Sequence, residues 1–513
     1  MGFTKLTLQI PTDYSEQTLR KVIMKKLRIV NFTYQIESKS LDARNKRKIH
    51  WVLNVAVHSE ELKGTDEVQK QQLEIPYKKR NKKVMIVGSG PAGIFAAIVL
   101  QKAGFETTLI ERGSDVSIRE KSIRDFESGG TFPTQNNYAF GEGGAGTFSD
   151  GKLTSRSKHI SLERQFILDQ YIEAGAPPEI AYMTHPHLGT DNLKKIVVNM
   201  RNSLVESGGR FMFDTTLQDI SIEKGKIVGV KTSNGDYETD ALFIAPGHSA
   251  FETYRMLMKR GVQFRTKNFA IGARMEHPQE LINRAQWGTS KLAGVKAAEY
   301  RLTSQANGKH SVYSFCMCPG GMVVPAAAYA DTNIVNGMSY YLRDGRYANA
   351  ACVAGIHPDE LAKRQVTPLE ALDFVESLER TFFDLAKNYS APACTIASFL
   401  NKKVTGQPRE TSYPLGLESA ELWNLLPRQV SDSMREGLKD FSRKIAGFEQ
   451  GNLIGLESKT SSSIQVLREQ NGACTGFNNL FLIGEGSGYA GGIVSSAADG
   501  VKVAMGFVMS FDL

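Results

Sequence analysis

Cysteine is scarce in this sequence: five among 513 residues, at 316, 318, 352, 394 and 474. An odd, scattered set excludes a secreted disulfide framework and makes a reducing cytoplasm the expected compartment. Cys316-x-Cys318 has no second pair to complete a four-ligand set, so no metal site is expected. A run of about 20 apolar residues is missing, and with it the expectation of a membrane span. Met1-Gly2-Phe3-Thr4-Lys5-Leu6 is neither a signal peptide nor, with leucine at position six, a myristoylation site. Internal repeats and low-complexity tracts are also lacking. What remains is 41% hydrophobic with 47 glycines and 17 prolines, the composition of a folded α/β chain too long for one core.

The net charge of +8 is lopsided. Residues 1–83 carry 18 Lys+Arg against 9 Asp+Glu, or +9, which leaves 8 − 9 = −1 for everything after them. This N-terminal piece reads β-α-β-β: a strand at Leu6–Ile10, a helix opened by Asp13 and Glu16 as a capping box, then strands at Val30–Ile36 and Ile49–Val57. Lys78-Lys79-Arg80-Asn81-Lys82-Lys83 reads as a polar linker. A basic turn, Arg44 to Lys48, and that linker suit RNA or DNA. Few aromatic residues accompany them, and a solvated face is the preferred reading.

The strongest signal follows the linker. Val84-Met85-Ile86-Val87 is a short apolar strand, Gly88-Ser89-Gly90-Pro91-Ala92-Gly93 a Gly-x-Gly-x-x-Gly turn, and Ile94 to Leu100 a buried helix. In a dinucleotide site Gly88 makes the turn, Gly90 admits a pyrophosphate to the backbone, and Gly93 lets helix and strand pack closely. The helix N-terminus favours the phosphates. A second strand, Thr107–Ile110, ends at Glu111 and Arg112, and Glu111 lies 111 − 93 = 18 residues past the last glycine, where a carboxylate can bond a ribose hydroxyl. Near the other terminus, Leu480–Ile483 runs into Gly484-Glu485-Gly486-Ser487-Gly488-Tyr489-Ala490-Gly491-Gly492 and an apolar helix from Ile493. An acid and a glycine-led helix N-terminus suit a ribityl chain and the pyrimidine edge of a flavin.

This pairing resembles the glutathione-reductase-like, two-dinucleotide-fold flavoproteins, with Glu485 where aspartate is usual. The glycine-dense loop Tyr138–Leu153, which includes Gly143, Gly144, Gly146, Thr147 and Lys152, and the strand end Ala245-Pro246-Gly247 fit the same superfamily. Phe315-Cys316-Met317-Cys318-Pro319-Gly320-Gly321, Asn336-Gly337-Met338-Ser339, Thr460-Ser461-Ser462-Ser463 and Gly484 to Ile493 together resemble the bacterial FAD-dependent (FAD-utilising) dehydrogenase group. Ser463 departs from it, since proline is expected there. The resemblance runs from about Lys5 to the C-terminus. It implies non-covalent FAD and a redox role, and it names no substrate.

The expected architecture is therefore α/β: a discontinuous Rossmann-like FAD-binding domain from 81–250 and 453–513, an α+β substrate domain at 251–452, and a small basic α+β domain at 1–80. Pro91, Ala92, Gly247, Gly491, Gly492 and Ile493 join the residues expected around FAD. Cys316 and Cys318, two apart and so on one side of a strand, and Lys152 are the candidates for chemistry, with His185, His187, His248 and His277 as proton carriers. A second strand-Gly-x-Gly-x-x-Gly-helix unit after 250 is missing, so NAD(P)H is expected as a transient reductant only. The functional expectation is an FAD-dependent oxidoreductase for a small molecule. The alternatives are a flavoprotein that acts on RNA and a redox sensor without turnover.

Overall fold

The structure, a computed structural model, describes residues 2–63, 71–155 and 157–511. Its centre is a five-stranded parallel sheet in the order Leu480–Leu482, Ala241–Ile244, Lys83–Val87, Glu106–Ile110, Arg210–Met212. Numbered along the chain this is 5-4-1-2-3, the doubly wound order whose direction reverses beside the first strand. All four residues of Ala241–Ile244 and the three of Leu480–Leu482 are buried, as strands covered on both faces must be.

Two helices pack on one face of this sheet at close range. Gly500 and Gly484 make that possible: a Cβ on Gly500 would stand 2.3 Å from the Ala92 carbonyl oxygen, and one on Gly484 2.5 Å from the Ala92 Cβ. The helices are Pro91–Lys102 and Ile493–Phe511. The latter corrects one expectation. Its 19 residues, mean hydropathy 1.3, are long and apolar enough to cross a membrane by length and composition, but 67% of the span is buried inside the protein. It serves as a core helix here.

A three-stranded antiparallel sheet, Leu217–Glu223, Lys226–Thr232 and Gly235–Glu238, flanks the parallel sheet. Its first turn is Lys224-Gly225, with Gly225 at φ 76°. The chain then builds a larger sheet in the order Thr303–Ser304, Val312–Pro325, Tyr347–Ile356, Phe269–Pro278, Asn452–Glu457, Ala391–Thr395, Leu417–Ser419, antiparallel except at its last pair. Val335–Ser339 pairs with the long strand Val312–Pro325. Arg428–Lys444 lies against this sheet with Val430, Met434, Leu438 and Phe441 buried, a 3.6-residue stripe. The strand Asn452–Glu457 belongs to this sheet, so the chain re-enters the parallel sheet only at Leu480–Leu482 and not at 453.

The N-terminal residues form an antiparallel sheet, Gly2–Ile10, His50–Ser59, Thr33–Asp42, with the helix Glu16–Leu27 against it. Ser15, not Asp13, caps that helix, accepting from the Thr18 N–H at 3.2 Å. The second strand begins at Thr33 instead of Val30 and runs on to Asp42. Lys39 exchanges backbone bonds with Tyr182 and Thr184, which ties this sheet to the body. The segment read as a linker also packs. Lys78 and Arg80 donate backbone bonds to Ala103 and Gly104, and Arg80 is 4% exposed with its guanidinium 5.0 Å from the Phe105 ring.

Candidate functional site

The first cleft wall is the glycine turn. Gly88 sits at φ 95°, and a Cβ there would stand 2.3 Å from the Ala245 carbonyl oxygen. A Cβ on Gly93 would stand 1.9 Å from the Gly88 oxygen, so Gly93 is what brings helix and strand together. Gly90 differs. Its nearest neighbour to an added Cβ is the Gly144 Cα at 4.0 Å, and Gly144 itself holds φ 65°. The two bare backbones lie close together, since a Cβ on Gly144 would stand 3.1 Å from the Gly90 Cα. Gly90 caps the helix Pro91–Lys102 without a side-chain hydrogen bond, and Pro91 at the first helical position removes one donor. The remaining first-turn N–H groups are thus available to an anion.

The second wall is the glycine-dense loop, and a buried arginine organises it. Arg119, fully buried, donates to the carbonyls of Asn137, Tyr138, Gly141, Glu142 and Gly144. Burial lowers its pKa to about 10, still far above neutrality. Glu111 works beside it. One carboxylate oxygen accepts from the Ser89 N–H and hydroxyl at 2.9 and 2.7 Å, the other from the Gly113 and Gly141 N–H groups at 3.1 Å each. Four protein donors occupy the carboxylate expected on a ribose. Glu111 borders the cleft, but its work here is to tie the glycine turn to the loop. Arg112 is 2.7 Å from Glu252 and its guanidinium lies 4.0 Å from the Phe140 ring centre.

These walls enclose one elongated cleft of about 280 Å³ at the carboxyl ends of the parallel strands, the place where open α/β sheets bind ligands. Gly88, Gly90, Pro91, Ala92, Glu111, Arg112, Gly144, Gly146, Lys152, Gly247, Glu485, Gly492, Ile493 and Cys316 all line it. Gly93, Gly143, Thr147, Gly484, Tyr489, Gly491 and Cys318 are not among its lining residues. Gly93 and Gly484 serve packing, as above. Gly143 is pressed on the Thr147 hydroxyl, which donates to the Glu142 carbonyl. Tyr489 is 47% exposed, its ring 4.0 Å from the Arg468 guanidinium, so it faces away.

At the far end the antiparallel sheet closes the cleft. Asp150, 1% exposed, takes a bidentate bond from Arg343 at 3.0 and 2.6 Å, a 2.8 Å bond from Lys152, and a bond from the Ser339 hydroxyl. Burial alone would raise its pKa, but Lys152 and Arg343 outweigh it and hold the carboxyl well below the usual range. Lys152 also donates to the Met317 carbonyl. Burial would lower its pKa, yet Asp150 prevails and keeps it above the ordinary lysine value. Lys152 is therefore a fixed cation and no carrier of protons near neutrality.

Cys316 stands beside it at φ 43°, left-handed for a residue that is not glycine. The strand Val312–Pro325 slips register between Phe315 and Cys318, so simple two-residue alternation fails at this pair. The bulge puts Cys316 on the cleft and Cys318 behind it, fully buried, with its Sγ 3.5 Å from the Cys316 carbonyl oxygen. Their mutual hydrogen bond, and then Lys152 and Arg274, lower the Cys316 thiol pKa below the usual range against the effect of burial. The same bond and burial raise Cys318 well above it. Arg274, wholly buried in an ion pair with Glu457 at 3.0 Å, donates to the Cys316 carbonyl at 3.2 Å and to Asn349 and Asn336 at 2.6 and 2.9 Å. His248 lies on the cleft with Nδ1 2.9 Å from Glu485. His187 and His277 are buried and held neutral, burial lowering them to about 3 and about 4, so they do not exchange protons near pH 7.

The site fits FAD on two observations. Gly90 lines the cleft with nothing nearer than 4.0 Å to an added Cβ, and the helix end behind it has no side-chain cap. A second helix starts at Ile493, which lines the same cleft beside Gly146 and Pro91.

Comparison with known proteins agrees. A family model described as FAD-dependent protein, C-terminal domain-like, matches residues 268–460, and the pyridine nucleotide-disulphide oxidoreductase model matches 82–277. An uncharacterized protein of Clostridium beijerinckii is 37% identical over 528 residues, 99% of this chain and 98% of that one. Among solved structures, a flavoprotein/dehydrogenase from Cytophaga hutchinsonii is 12% identical, covering 84% of this chain and 79% of its own, at TM-score 0.38. Glycine oxidase from Bacillus cereus is also 12% identical, covering 84% and 96%, at TM-score 0.34. The assignment rests on the sequence matches and on the cleft. This chain belongs to the same family as the Clostridium beijerinckii protein, a family of FAD-dependent proteins, and its cofactor is FAD.

Proposed function

We propose that this flavoprotein oxidises or reduces a small molecule bound between the glycine-dense loop and the antiparallel sheet, at the Lys152–Cys316 end of the cleft. One observation carries the reading: a single cleft runs from the dinucleotide turn at Gly88 to Cys316 and Asn336 on the facing sheet. FAD, when bound, supplies the two-electron chemistry. The chain's own residues divide the remaining work. The N–H groups after Gly90 hold the pyrophosphate, and Glu485 is placed to accept a hydroxyl of the linking chain. The helix N-terminus at Ile493 and the fixed ammonium of Lys152 favour negative charge at the reacting end. Asn336, oriented by Arg274 at 2.9 Å, and Cys316 face the substrate. The larger sheet is antiparallel where a nicotinamide domain would have a second parallel unit, so NAD(P)H is read as a diffusible reductant at the same opening.

The test is an anaerobic screen of metabolites and nicotinamide nucleotides that scores bleaching of the bound flavin, repeated with Lys152→Met. Bleaching by a defined compound, slowed in the variant, is the expected result. A flavin that light reduces but no small molecule reduces or reoxidises would leave a redox sensor in place of an enzyme.

A further inference from the structure

The two cysteines of the bulged strand differ in every property that matters for sulfur chemistry. Cys316 is half-buried and lines the cleft, whereas Cys318 is sealed behind it. The register slip brings the two residues together, with the Cys318 Sγ 3.5 Å from the Cys316 carbonyl oxygen. Cys316 is held in a left-handed conformation, φ 43°, that is unfavourable for a residue of its kind, and the Arg274 bond to its carbonyl helps to fix it there. Strain of this sort clusters where a side chain must be aimed. Lys152 on the cleft and the buried Arg274 both favour the thiolate of Cys316, and the carboxylates beside them are themselves paired, Asp150 with Lys152 and Arg343 and Glu457 with Arg274. Cys352, Cys394 and Cys474 are buried with thiols pushed up to about 12 or beyond by burial, so they do not compete.

We propose that Cys316 and Cys318 form a thiol–disulfide exchange pair whose substrate is a small disulfide, with Cys316 attacking and Cys318 resolving. This deepens the reading above and rests on it for the source of electrons. Neither cysteine falls in the stretch that matches the disulphide oxidoreductase model, residues 82–277. In the first step the Cys316 thiolate attacks one sulfur of R–S–S–R. A bond forms between Cys316 Sγ and that sulfur, the disulfide bond breaks, and R–S⁻ leaves and takes up a proton. In the second step Cys318 gives up its proton, attacks Cys316 Sγ, and displaces the other R–S⁻. The balance is one disulfide and two thiols in, two R–SH and one Cys316–Cys318 disulfide out. The low-pKa, open thiol suits attack, and the sealed thiol suits resolution because its partner is already adjacent. Returning the pair to dithiol takes two electrons and two protons from reduced FAD.

The test uses the full-length holoprotein and an aromatic disulfide, 5,5′-dithiobis(2-nitrobenzoate), with released thiolate and intact mass as readouts. Wild type is expected to release two equivalents in one fast phase and to end two hydrogens lighter, with no aromatic adduct. Cys318→Ser should release one equivalent and retain the adduct on Cys316, and Cys316→Ser should lose the fast phase. A stable adduct on wild type, or an undiminished fast phase in Cys316→Ser, overturns the proposal. Both readouts precede any flavin turnover. Failure here alongside substrate bleaching of the flavin removes the exchange pair and leaves the oxidoreductase standing.

Discussion

Alanine at Gly90 and alanine at Gly93 separate the binding role of the glycine turn from its packing role. Gly90 has φ −66° and ψ 176°, a conformation open to any residue, and its Cβ would meet nothing nearer than 4.0 Å. Gly90→Ala therefore leaves the flavin-free protein unharmed, or more stable by about 0.4–1 kcal/mol through the unfolded chain. The added methyl occupies the space of the pyrophosphate instead. Overpacking of this kind costs about 1–3 kcal/mol, which is about 5- to 150-fold in the FAD Kd. Gly93→Ala behaves the other way. Its Cβ would lie 1.9 Å from the Gly88 carbonyl oxygen, a backbone atom that no rotamer change can move. A cost of about 3 kcal/mol from overpacking, less about 1 kcal/mol of helix propensity gained, leaves a loss of about 2 kcal/mol in the flavin-free protein. The assays are urea midpoints after flavin removal and fluorescence titration with FAD. The reasoning fails if Gly90→Ala lowers the flavin-free midpoint, or if it binds FAD as tightly as wild type.

Three further outcomes follow from the structure. Arg119→Met strands five loop carbonyls in the interior. It should cost at least about 3 kcal/mol and empty the FAD site, read by urea midpoint and flavin content. His277 is neutral in the folded state down to about 4 but titrates near 6.5 once unfolded. The unfolded chain then binds more protons between those values, so stability falls as pH drops, by about 2 kcal/mol from pH 7 to 5. His277→Gln should flatten that slope in urea midpoints taken at both pH values. A chain beginning at Gln71 should keep FAD, whereas one beginning at Asn81 loses the Arg80 and Lys78 bonds to Ala103 and Gly104 and should be about 1–3 kcal/mol weaker.

Much of the cofactor site was legible because it is steric. Gly88 and Gly93 act through atoms a few residues away or through one strand crossing, and the spacing of the turn encodes both. The acid at 111 was also legible, but its partners were not. Ser89, Gly113 and Gly141 reach it only after the loop has folded over the turn. Arg119 carries no motif, since it binds backbone carbonyls 18 to 25 positions away that any sequence would offer. Asp150 and Arg343 lie 193 residues apart and meet only where the loop touches the antiparallel sheet. At Cys316 the rule of alternation was the wrong guide, because the strand slips register between Phe315 and Cys318 and again before Gly321, and Arg274 from another strand bonds the Cys316 carbonyl. The basic segment before Lys83 read as a linker because charge was counted and Leu73 and Ile75, which pack on the core, were not.

The most direct test of the central claim is a pH titration of the visible spectrum of the FAD-loaded protein, beside the same titration of Cys316→Ser. If the reacting end of the cofactor lies at Lys152 and Cys316, wild type shows a long-wavelength charge-transfer band that appears with a midpoint below the ordinary thiol value of about 8.5. The variant keeps FAD and lacks the band. Superimposable spectra for the two proteins across the titration would contradict the placement of the flavin against this thiol.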